Sequence, residues 1–291
     1  MDVHGATVSA ETTKNKGAIS RFNRSKFGKS FECYGRIHSE IFEQKKLLLS
    51  KITLGLKLHR SDPKFLFMAQ EATEQYNINL DRAMLIVNVK KIASHVRTAH
   101  EARLLTTNAK YPLRQVQMKF FTRGANRGDL SEPNLVNGVL PKKVVIGLVD
   151  TDAFNGDYQK NPFNFKHFNV NYVAMRRNGQ SIPFEALDLN YKSDETFLGY
   201  FTIMQSLGLW GKDRSNNIHP INDFPHGFAL YGFDLSPDGS DGSNFNLIKE
   251  GNLSLTLRLQ KPAAESITIV CYMEFETILE IDRDRNIHYN E

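Results

Sequence analysis

A chain of 291 residues, 41% hydrophobic and 24% charged, is long enough for one large domain or two modest ones and has the balance of a globular protein. No apolar run nears the roughly 18 residues of a membrane span, and residues 1–30 lack a signal-peptide core, so a cytoplasmic or nuclear, non-secreted protein without membrane contact is expected. The +5 net charge is uneven: Lys14, Lys16, Arg21, Arg24, Lys26 and Lys29 face only Asp2 and Glu11 within the first 30 residues, and the remainder is nearly neutral.

Taken in chain order, residues 1–29 are basic and rich in Ser, Thr, Asn and Lys. They read as a flexible arm that either touches nucleic acid electrostatically or only solubilises the chain. Strand candidates follow at 31–37 and in KITLGLKL, where Ile52, Leu54, Leu56 and Leu58 share one face. Further strands are expected at 64–69 and 77–90, a helix over 93–105 (ASHVRTAHEARLL), and strands again at 112–122, 143–150 and 165–177. A second helix is expected over 194–207 with Asp194 as N-cap, then a strand at 227–235. The closing segments are the most periodic. NLSLTLRLQ alternates Leu253, Leu255, Leu257 and Leu259 with polar residues, and SITIVCYMEFETILEI follows across Lys261-Pro262-Ala263-Ala264, which predicts an antiparallel hairpin. Turn clusters stand at 60–63, 122–129, 177–180 and 236–244. Short strands, long loops, scarce helix and no β-α-β rhythm predict an all-β antiparallel sandwich.

Candidate chemistry is sparse. VVIGLVDTDAFNG ends an apolar strand on Asp150 and Asp152, a pair that a metal-dependent transferase would place on a divalent ion. The same residues also read as the polar end of a strand entering an Asn155-Gly156 turn, and no nucleotide-binding β-α-β half precedes them. Asp238 and Asp241 miss the spacing of a calcium loop, and His95 and His100 miss the i, i+4 zinc spacing. Cys33 and Cys271 predict two reduced, mostly buried thiols. The 20 Phe and 10 Tyr include Phe163, Phe165 and Phe168 beside His167, which fit core packing or subunit contact better than a base-stacking stripe because they alternate faces. No catalytic, cofactor-binding or metal-ligating residue is assigned, and a non-enzymatic protein without cofactor is expected.

Five phrases share a further pattern: RIHSEIFEQKKLLLSKITLGLKLHRSDPKFLFM (36–68), KYPLRQVQMKFFTRG (110–124), LPKKVVIGLVDTDAFNGDYQKNPFNFKHFNV (140–170), GFALYGFDLSPD (227–238) and the ending GNLSLTLRLQKP with IVCYMEFETILEIDRDRNI. Together, over about residues 17–288, they resemble the major capsid (hexon-like, double jelly-roll) proteins of Maverick/Polinton elements and adintoviruses. The resemblance implies a truncated double jelly roll with few short helices: a basic arm at 1–29, closing strands of a first jelly roll at 30–92, a helical linker at 93–107 and a complete second jelly roll at 108–291. The first jelly roll would lack its N-terminal part. Ser39-Glu40 and Ser50-Lys51 also depart from the family's usual Asp and Asn-Gly.

The resemblance further implies a structural capsid protein assembling into homotrimeric capsomers of an icosahedral shell. Its partners would be copies of itself, a penton or minor capsid protein, and nucleic acid weakly through the arm; its location would be the virion. The alternative is a domesticated or truncated capsid-derived binding module. Loops 122–139, 155–164 and 208–226 are the expected subunit contacts.

Overall fold

The computed structural model describes residues 16–69, 75–211, 221–236 and 249–289. Its elements in chain order are α1 (Lys16–Ser25) with a 3-10 turn (Lys26–Gly28), α2 (Glu40–Glu43), α3 (Pro63–Leu66), α4 (Ser94–Leu104), β1 (Ala109–Arg123), β2 (Glu132–Val139), β3 (Lys143–Asp150) and α5 (Thr151–Asn155). There follow β4 (Val170–Arg177), β5 (Gln180–Asp188), α6 (Phe197–Ser206), a 3-10 turn (Ile221–Asp223), β6 (Leu230–Asp234), β7 (Glu250–Leu259), β8 (Ile267–Ile281) and β9 (Ile287–Tyr289). The chain divides into two compact units, one within Met1–Tyr34, Ser61–Gln75 and Val116–Phe275, the other within Gly35–Arg60, Tyr76–Gln115 and Glu276–Glu291.

The first unit is built on two antiparallel sheets. One runs β1-β8-β3-β6 and the other β2-β7-β4-β5, while β9 pairs with the far end of β8. Strands that are consecutive in the chain from β1 to β4 alternate between sheets, and β8 and β7 return to fill the centres. That connectivity is the eight-stranded jelly roll. Each sheet turns one face inward, so alternation in the sequence becomes a core: Leu253, Leu255 and Leu257 of β7 meet Val144, Ile146 and Leu148 of β3 and Ile269, Cys271 and Met273 of β8, all 1% exposed or less. Burying each such side chain stabilises the fold by about 1.5–3 kcal/mol against leaving it in water.

Two glycines mark where backbone must approach closely. A Cβ on Gly147 of β3 would stand 2.5 Å from the Phe165 ring and 2.8 Å from Leu230, so the segment that covers β3 needs that bare position. A Cβ on Gly232 of β6 would stand 2.0 Å from Ser206 Oγ and 2.9 Å from the Ile203 backbone, and this is why α6 can lie directly on β6.

The second unit is held mainly by polar contacts. The buried Tyr111 hydroxyl donates to the Leu47 carbonyl (3.1 Å) and accepts from the Leu49 amide (3.2 Å). Gln44 Nε2 donates to the Pro112 carbonyl and Lys46 Nζ to the Lys110 carbonyl (2.9 Å). Arg285 bridges the Ser50 carbonyl (3.1 Å) and Glu101 (2.6 Å), and Glu280 receives Asn108 and Lys110, both at 3.0 Å.

Several expectations are corrected. β7 and β8 do not form a hairpin: β7 pairs with β2 and β4 while β8 pairs with β3, so the Lys261–Ala264 connection passes from one sheet to the other. Residues 31–37, 52–58 and 77–90 are not strands. The stretch expected as a strand at 64–69 starts as α3, whose N-cap Asp62 accepts from the Lys64 amide (2.8 Å) ahead of Pro63, a helix-start chemistry. The strand expected at 165–177 begins only at Val170, because Phe168 and Asn169 have φ of 46° and 53°. Thr196, not Asp194, precedes α6, and Asp194 itself has positive φ. The turn expected at Asn155-Gly156 does not follow the strand directly: α5 intervenes, and Gly156 at φ 102° is its C-cap. Cys33 is exposed, contrary to the buried pair expected, and only Cys271 is buried.

Candidate functional site

The aspartate pair of the apolar strand separates on folding. Asp150, last residue of β3, is paired in the ladder with Ile267, and its side chain is only 8% exposed. Asp152 lies in the first turn of α5 with a side chain 73% exposed. Each carboxylate faces an ammonium: Lys166 Nζ is 2.5 Å from Asp150 Oδ2, and Lys160 Nζ is 3.0 Å from Asp152 Oδ2. Lys166 also reaches to 3.9 Å from Glu265. Burial is the largest single influence and would raise the Asp150 carboxyl, but the hydrogen bonds with Lys166 and Glu265 and the charges of Lys166 and Lys160 together outweigh it and hold Asp150 below the ordinary carboxylate value. Glu265 is held above its ordinary value, first by a hydrogen bond with Asp150 and then by repulsion from its charge.

Each of the two carboxylates is thus answered by a lysine ammonium. Among the described residues no group of three or more His, Cys, Asp or Glu side chains is placed to hold a metal ion. The cluster fastens the end of β3 to the 160–166 loop and is best described as structural.

The other residues singled out from the sequence also fall into place as architecture. His167 stacks on Tyr191 at 4.1 Å, and the Tyr191 and Tyr231 hydroxyls are 2.7 Å apart beside Phe224. Burial, with His226 nearby, lowers the His167 pKa, and burial raises both tyrosines. Phe163 meets Phe65 edge-on at 5.5 Å, Phe165 forms a single bridge with Phe228, and Phe168 packs on the core. His95 and His100 are exposed on α4. Asp238 and Asp241 lie outside the described residues. Among the described residues no helix is long and apolar enough to cross a membrane.

What remains for function is surface. Phe197, Phe201 and Trp210 form an aromatic cluster at the C-terminal side of the sandwich sequence, with ring centroids 6.3 Å (Phe197–Phe201) and 4.6 Å (Phe201–Trp210) apart; Phe197 and Trp210 are half exposed, as are Leu198 and Leu207. Such a patch of aromatic anchors is the composition of a protein contact. Trp210 falls in one of the three loops expected at subunit contacts. Of the others, 122–139 contains strand β2 and a polar depression lined by Arg123, Arg127, Asp129 and Ser131; Arg123 is also ion-paired with Glu132 (2.8 Å). The second exposed apolar region, residues 52–58 and 80–92 of the second unit, was not singled out as a surface, because alternation in the sequence signals a strand without saying what covers it.

No protein-family model matches the chain. It is similar to an uncharacterized protein of Caenorhabditis elegans, F54H12.2, at 26% identity over 279 residues, covering 94% of this chain and 66% of that protein, so it spans less than two thirds of the relative's length. Solved structures with partial likeness include the PBCV-1 virus capsid (13% identity, 67% of this chain and 55% of that one, TM-score 0.40). Another is PBCV-1 VP54 fitted into a reconstruction of the virophage Sputnik (12%, 69% and 55%, 0.43). A third is the mavirus major capsid protein (8%, 63% and 41%, 0.33).

Proposed function

We propose that the protein is a non-enzymatic structural component that works by self-association, as a capsid subunit of the Maverick/Polinton and adintovirus type. The observation that carries this reading is the strand order β1-β8-β3-β6 over β2-β7-β4-β5, the connectivity of a jelly roll. The five sequence phrases that resemble the family add to it, and so does the exposed aromatic cluster of Phe197, Phe201 and Trp210. On this reading residues 108–291 are a complete jelly roll, 93–107 a linker helix and 30–92 the remnant of a first jelly roll that has not kept its strands among the described residues. Three copies would close around an axis, and closure would limit the assembly.

Light scattering and negative-stain microscopy of the purified chain test it. Trimers or shells are expected, and substitution of Trp210 and Phe197 by Ser should dissolve them without unfolding the sandwich. A chain that stays monomeric at every concentration overturns the reading.

A second reading rests on the six cations of residues 1–30: a capsid-derived module that contacts nucleic acid through the arm. It expects DNA affinity that falls steeply with salt and disappears when residues 1–30 are removed.

A further inference from the structure

We propose that the extended segments 52–58 and 84–89 form a docking surface for an extended segment of another polypeptide, one whose residues alternate between apolar and acidic. The inference stands apart from the capsid reading and concerns only the second unit.

Three observations carry it. The segments are strongly apolar yet uncovered: Leu54, Leu56 and Leu58 are 42%, 43% and 69% exposed, and Met84, Ile86 and Val89 are 69%, 73% and 86% exposed. Residues 84–87 (MLIV) are exposed on both faces, although a continuous apolar run belongs to a strand buried on both. Their backbones are also unpaired. No amide or carbonyl of 51–59 or 79–92 bonds another backbone group among the described residues, so the donors and acceptors of each segment are open to an added strand.

Charge then selects the occupant. Lys51, Lys57, Arg60, Arg82, Lys90 and Lys91 flank or interrupt the two segments against Asp81 alone, and among the described residues none of the six is ion-paired with a carboxylate. A second copy pairing through the same segments would bring these cations together, and the basic residues of the chain's own first 30 positions would be repelled likewise. An incoming strand with apolar residues at alternate positions covers the leucines and the Met84–Val89 run, and acidic residues between them meet the lysines and arginines. Main-chain bonds supply the adhesion and the charges the choice of partner.

The test uses the full chain and two labelled peptides, one alternating Val with Glu and one alternating Val with Lys, each ended by Pro to prevent self-pairing. The acidic peptide should bind saturably at low salt and at least tenfold more weakly with the double variant Lys57→Glu, Lys90→Glu, which leaves the apolar residues intact. Ile86→Asp should weaken it similarly, while hydrogen exchange shows new protection confined to 52–58 and 84–89. Equal binding of the two peptides, no binding of either, or protection elsewhere overturns the proposal. So does slow exchange of these amides in the unliganded chain accompanied by dimerisation, which would make a second copy the occupant.

Discussion

Two leucine ladders in this protein are written alike and end differently. In β7, Leu253, Leu255, Leu257 and Leu259 alternate with polar residues; in 52–58, Ile52, Leu54, Leu56 and Leu58 do the same. The first ladder lies between β2 and β4 and faces β3 and β8 across the core, and its leucines are nearly inaccessible. The second has no neighbour on either edge among the described residues and keeps 42–69% of Leu54, Leu56 and Leu58 in contact with solvent. Alternation equips a segment to be half buried. Burial itself is supplied by strands far away in the chain, and among the described residues none pairs with 52–58.

The comparison breaks most directly by truncating one leucine in each ladder. Leu257→Ala should cost about 2–5 kcal/mol, whereas Leu56→Ala should stay within about 0.5 kcal/mol, both read from urea unfolding. A comparable loss at Leu56 would mean that the second ladder is covered in solution. The glycines sharpen the same contrast: Gly232→Val has to displace Ser206 and Ile203 and should lose about 1–3 kcal/mol, while Gly55→Ala has no atom within 4 Å to meet and should leave the melting temperature in place.

Lys166→Met tests the edge of the sandwich. It strands the buried Asp150 carboxylate and should destabilise by about 1–3 kcal/mol at neutral pH, a figure kept low because Lys166 is partly solvated. Since Asp150 is held below its ordinary value, its contribution is present above the unfolded value near 3.9 and disappears as pH falls through the lower folded value. Wild type and variant should therefore converge in acid denaturation below about pH 4. Glu265, held above its ordinary value, acts oppositely: its contribution exists at low pH and is lost as pH rises through the raised value. The smallest effect is chemical. Cys33 should react with a thiol reagent in the folded protein, and Cys271, buried and pushed up to about 12, only on unfolding; rapid loss of both thiols would contradict the packed core around β8.

The strands of one sheet were legible, its edge strands β1 and β6 included, but the two edge strands of the other sheet were not. β3, β7 and β8 announce themselves as apolar runs or strict alternation because each is packed on both sides. β2 and β5 escaped notice: EPNLVNGV and QSIPFEALD each contain a proline and read as loop, yet both are edge strands, where a missing amide costs the ladder little. The register shift between Glu132 and Val136 weakens the β2 pattern further. The β7–β8 hairpin was misread because a four-residue turn between two alternating strands looks the same whether they share a sheet or face each other. At the aspartates, the sequence displayed two carboxylates but not the ammonium groups of Lys160 and Lys166 brought beside them by the 156–166 loop. The ending EIDRDRN proved to carry contacts of its own: Asp282 accepts from the Asn286 amide (2.8 Å) and Arg285 reaches Glu101 and Ser50.

The position of β8 has a consequence for synthesis. β8 separates β1 from β3 in its sheet, and β7 separates β2 from β4 in the other, so the last two strands of the sandwich to be made are the ones that join those made before them. A nascent chain emerging from the ribosome would hold β1 as a lone ribbon and β3 only with β6 until Ile267–Ile281 is released, and closure of the sandwich must wait for ends separated by most of its length. Closure of the core is thereby postponed until β8 has been made, and until then the leucines of β7 lack half of the strands they face.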